Sequence, residues 1–76
     1  MPHLPAPDPL IDRVLRGEHP RSPQVDDAYD AAMVEGFDAR LAALDADPSD
    51  AARADHDRLR AYMFDEWGLD RPALSA

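Results

Sequence analysis

The 76-residue chain sets sixteen acidic residues against eight arginines, has no lysine and no cysteine, and carries a net charge of −8. One small domain is all this length accommodates, burying ~60–65% of its unfolded surface, and without cysteine neither a disulfide nor a cysteine-based zinc site can supplement the core. The charge repels nucleic-acid phosphate and anionic membrane alike, which argues against direct DNA or RNA binding, and no stretch approaches the ~20 apolar residues that span a bilayer.

Met1-Pro2-His3-Leu4-Pro5 lacks the positive start and apolar core of a secretory signal, so the expected compartment is the cytoplasm. Residues 1–8 carry three prolines and little that packs, which predicts an extended arm. Helix signals follow. Asp8-Pro9, Ser22-Pro23 and Asp47-Pro48 each place an N-cap residue before a proline, and each precedes a run with apolar residues at helical spacing. They predict helices over 9–16, 23–45 and 48–67, with Gly17 and Gly68 ending the first and third.

In the first helix Leu10, Ile11, Val14 and Leu15 form a two-turn apolar stripe too short to stand alone. The linker Gly17–Arg21 is irregular because Gly17 and Pro20 bracket it. The second helix carries Tyr29, Met33, Phe37, Leu41 and Leu44 at steps of four, four, four and three, flanked by Val25 and Val34. This apolar arc covers about half the circumference at 100° per residue, more than one neighbouring helix shelters. Gly36, with Ala28, Ala32, Ala39 and Ala43, lies on a small-residue side that is either a close helix approach or a plain alanine surface.

The third helix carries Ala52, His56, Leu59, Met63 and Trp67 on one stripe, with Tyr62 and Phe64 on its shoulders. A turn at 46–47 predicts an antiparallel hairpin in which Phe37 faces Leu59 and Met33 faces Met63 or Tyr62. The tail, 69–76, reads as free, although Leu69 is placed to fold back after the glycine cap.

The expected architecture is therefore all-α: an antiparallel helical hairpin with a short N-terminal helix packed across it, two copies pairing into a four-helix bundle. The excess arc and the shoulder aromatics nominate Tyr29, Val34, Phe37, Leu41, Tyr62, Phe64 and Trp67 as interface residues of a homodimer. His56, the one titratable residue on an apolar stripe, is a candidate pH-sensitive group or a structural histidine. A metal site there would have to borrow Glu35 or Asp38 from the facing helix, and Asp45–Asp50 lacks the glycine and glutamate of a calcium loop. Ser22, Ser49 and Ser75 are the only serines, and no phosphate loop or paired carboxylates accompany them, so no cofactor, metal or enzymatic activity is expected. The leading expectation is a non-enzymatic protein-interaction or regulatory module. The alternative is an acidic neutralising partner of a basic protein, antitoxin-like or a nucleic-acid mimic, resting on Asp clusters at 26–30, 45–50 and 55–57. A coding bias toward Asp, Ala, Arg and Pro explains the composition as well, and so does adaptation to high salt.

Overall fold

A computed structural model describes residues 6–23 and 25–73, which form three α-helices: α1 (Pro7–Leu15), α2 (Asp27–Ala46) and α3 (Asp50–Trp67). There is no strand among the described residues, and every pair of helices is in contact. Most of the predicted arm, and the last three residues of the predicted tail, lie outside the described residues.

All three predicted starts shift, for local reasons. Helix α1 begins at Pro7, earlier than expected, because Pro7 and Pro9 both sit in a first turn whose N–H groups have no intrahelical use. Asp8 is consequently inside the helix and caps nothing; Ala6 is the N-cap and makes no side-chain bond. Ser22-Pro23 does not open α2. Asp26 does, accepting from the Tyr29 N–H at 2.7 Å. Asp47 instead accepts from the Ser49 N–H at 2.9 Å, which holds its carboxyl below the usual range and makes Pro48 part of the turn. Ser49 then caps α3 by accepting from the Ala52 N–H at 3.1 Å.

Both glycine stops hold. Gly17 takes φ +99°, and the Glu18 and Gly17 N–H groups reach back to the Arg13 and Val14 carbonyls, the paired bonds of a Schellman ending. Gly68 takes φ +67° and donates to the Phe64 carbonyl, after which Leu69 returns to pack on the core.

The broad arc of α2 is covered from two sides. Met33, Phe37 and Leu41 are buried against Ile11 and Val14 of α1 and against Leu59, Tyr62 and Met63 of α3. Helix α1 comes so close that a Cβ on Gly36 would overlap the Pro7 ring, whereas Ala28, Ala39 and Ala43 remain exposed. The small-residue side is thus a close approach at its centre and a plain surface elsewhere. Phe37 meets Tyr62 and Trp67 edge-on, at centroid distances of 6.2 and 5.1 Å, further along α3 than the expected Leu59. Cβ bonds tilt toward the N-terminus of their own helix, so Phe37 leans away from the 47–49 connection while the α3 aromatics lean toward it.

An arginine closes each seam. Arg40 of α2 reaches Asp8 and Asp12 of α1 at 3.3 and 3.4 Å, and Arg58 of α3 donates to the Leu15 carbonyl of α1 at 2.8 Å. Arg71 grips Asp38 of α2 through Nε and Nη2 at 2.8 and 3.1 Å, while its carbonyl accepts from Arg60 of α3 at 2.9 Å. The forked Asp38–Arg71 pair is the strongest geometry of the set. The segment after Leu69, expected as a free tail, is therefore held to both long helices as far as Arg71.

Candidate interaction surface

Phe37 and Tyr62 are almost entirely enclosed by their own chain and Leu41 is nearly so, which removes these three from the predicted interface. The physical reason is that α1 and α3 together shelter what one helix could not. Tyr29, Val34 and Trp67 are half-buried, and Phe64 is 61% exposed. Val25, treated in the sequence only as a flank of the α2 stripe, is 62% exposed because it precedes the true helix start.

Val25 and Trp67 belong to one hollow of about 360 Å³ between the start of α2 and the end of α3, completed by Ser22, Asp26, Asp27, Asp30 and Glu66. Its lining holds two apolar side chains, four carboxylates and no basic residue. Trp67 is braced from beneath: its Nε1–H donates to the Tyr62 hydroxyl at 3.2 Å, and that hydroxyl donates to the Pro20 carbonyl at 2.7 Å. Burial pushes the Tyr62 hydroxyl above its ordinary range, and the bond from Trp67 offsets part of that push. His19 stacks edge-on against Tyr62 at 5.2 Å and sets its Nε2 3.5 Å from Glu66.

Two kinds of carboxylate line this hollow. Asp26, Asp27 and Asp30 stand at the positive end of the α2 dipole, where a negative charge stabilises the helix. Glu66, like its neighbour Asp65, stands at the negative end of α3, where a carboxylate opposes the dipole and no basic residue of that turn compensates. Helix stability does not account for them.

The wider surface keeps the same sign. Five of the eight arginines, Arg13, Arg16, Arg40, Arg60 and Arg71, are paired with carboxylates of their own chain, and Arg21, Arg53 and Arg58 are in no ion pair among the described residues. Among the described residues Asp27, Asp30, Glu35, Asp50, Asp65 and Asp70 enter no ion pair. Phe64 lies in a second hollow of about 300 Å³ with Asp57, Asp65 and Asp70, but Arg60 and Arg71 share it and dilute its charge.

His56 is 5% exposed and its Nδ1 has no hydrogen-bond partner. His56 and Asp38, which the sequence nominated beside it, line one further hollow between α2 and α3; Glu35 does not line it. No group of three metal-ligating side chains is assembled among the described residues, and no described helix is long and apolar enough to cross a membrane. Comparison with protein-family models, with curated proteins and with solved structures gives no match, so the functional reading rests on the surface itself.

Proposed function

We propose that this chain is a small, acidic, non-enzymatic interaction module that works as a single folded copy and docks a basic amphipathic segment of a partner protein. In this reading α2 and α3 form an antiparallel hairpin braced by α1, and the partner lays apolar side chains on Val25 and Trp67 while its cations meet Asp27, Asp30 and Glu66. The observation that carries it is the hollow where the start of α2 meets the end of α3, lined by Val25, Trp67 and four carboxylates and by no basic residue. Tryptophan flanked by charge is a common anchor of protein interfaces, and a field of one sign speeds the approach of an oppositely charged partner. A basic protein neutralised by this surface, as an antitoxin-like or nucleic-acid-mimicking partner would do, is the same docking seen from its consequence.

Self-association into a four-helix bundle is the second reading, favoured by the exposure of Val25 and Phe64. Two considerations weigh against it. Phe37, Leu41 and Tyr62 are already sheltered within one chain, and a charge of −8 on each copy repels the other.

The test is a Trp67 fluorescence titration with a helical peptide alternating leucine and arginine faces, against a control peptide with glutamine for arginine. Saturable binding that weakens steeply with salt and is lost in the Asp30→Asn, Glu66→Gln double variant supports docking at this hollow. Equal loss in the charge-matched Glu35→Gln, Asp55→Asn variant would show attraction to net charge alone and overturn the assignment.

A further inference from the structure

Glu66 has two neighbours to serve. It lines the hollow of Val25 and Trp67, and its Oε1 also stands 3.5 Å from Nε2 of His19, in the segment that joins α1 to α2. We infer, on the strength of the docking reading above, that a proton on His19 and a basic partner compete for this carboxylate, so that docking weakens as His19 takes up a proton.

The imidazole is held beside the last turn of α3 by contacts that do not depend on its charge. Its ring meets Tyr62 edge-on at 5.2 Å, and the next residue, Pro20, accepts from the Tyr62 hydroxyl at 2.7 Å. The other charges around it offset one another. His19 lines a recess of about 210 Å³ together with Glu18, Arg58, Tyr62 and Asp65, and no residue of α2 lines it. Glu18 is taken by Arg13 and Arg16, while Arg58 and Asp65 carry opposite signs. Glu66 remains, with no other ion pair among the described residues, and Asp26, Asp27 and Asp30 of α2 flank it across the docking hollow with the same sign.

The last turn of α3 contains no basic residue, so its negative dipole end lacks a cation. A protonated His19 supplies one. Histidine is the residue type whose charge changes between about pH 5 and 8, whereas an arginine on a partner stays charged throughout. One carboxylate thus meets either cation, and by linkage the docked partner expels the proton. His19 is half-exposed, so the competition changes affinity a few-fold rather than by orders of magnitude.

The experiment is isothermal titration calorimetry with the leucine–arginine peptide at about pH 7.5 and about pH 5.5 and one ionic strength, on the unaltered chain and on His19→Gln. A Kd about threefold higher at the lower pH, with the difference lost in His19→Gln, is expected. His3 and His56 are present in both chains, so the comparison isolates His19. Near pH 6.5 the binding heat of the unaltered chain should also vary with the ionisation enthalpy of the buffer, because docking releases a proton. Equal affinity at the two pH values, or the same weakening in His19→Gln, would overturn the inference and leave docking standing. Absence of binding at the higher pH would overturn the docking reading and this inference together.

Discussion

Replacing Tyr62 by phenylalanine removes one oxygen and leaves the ring, so the change isolates a polar junction that joins three parts of the chain. The Tyr62 hydroxyl donates to the Pro20 carbonyl at 2.7 Å and accepts from the Trp67 indole at 3.2 Å. One net hydrogen bond contributes about 0.5–1.5 kcal/mol, and a buried partner left unsatisfied costs about 1–3 kcal/mol. Pro20 and Trp67 are only half-buried, so water partly replaces the lost oxygen and the expected destabilisation is about 1–2 kcal/mol. In a domain of this size each kcal/mol lowers Tm by roughly 4–8 °C. Urea unfolding followed by Trp67 fluorescence and by helical circular dichroism should show a lower midpoint with an unchanged slope. The variant should also weaken docking of the basic peptide, because the brace beneath Trp67 is gone. Destabilisation below about 0.3 kcal/mol would refute the junction, since it is less than one net hydrogen bond supplies.

Gly36→Ala should destabilise by about 1 kcal/mol, although alanine is the better helix former by a similar amount, because overlap with the Pro7 ring outweighs the propensity gain. In a Pro7→Gly background the same change should stabilise, and a denaturation cycle over the four chains reads that coupling. Asp65→Lys, at the negative end of α3, should raise stability by about 0.3–1 kcal/mol in low-salt denaturation and lose the gain at high salt. At alkaline pH the sign follows from the raised Tyr62 pKa: the folded chain keeps that proton longer than the unfolded chain. The stability it contributes is present below the ordinary value of 10.0 and falls as pH rises through the folded value. Urea midpoints measured from about pH 9 to about pH 11 should decline less steeply in Tyr62→Phe.

The helix count and the glycine stops were legible in the sequence because periodicity and αL glycines are local signals, carried by Met33-Phe37-Leu41, Leu59-Met63, Gly17 and Gly68. The starts were not. Two of the three cap-proline pairs have a second capping residue close behind them, Asp26 after Ser22 and Ser49 after Asp47, and contacts outside the pair decide between them, while α1 starts ahead of its pair at Pro7. Pro20 must bring its carbonyl to Tyr62 before α2 begins, and Asp47 is drawn into a turn with Ser49. The shelter given to Phe37 was equally hidden, since it depends on α1 approaching over Gly36. Of the residues nominated for an interface, Phe64 is exposed and Trp67 half-buried, whereas the exposure of Val25 was not legible because it follows from where the helix starts. Asp38, Leu41 and Asp45 share one face of α2 at helical spacing, but nothing in the tail's sequence announced that Arg71 would pair with Asp38 across it.

The proposal that one chain shelters its own core, leaving its acidic rim for others, is tested most directly by sedimentation velocity from micromolar to near-millimolar concentration. A folded species at the monomer mass of 8.4 kDa throughout is the expected result. A stable dimer at micromolar concentration, or helical structure that vanishes on dilution, would contradict it.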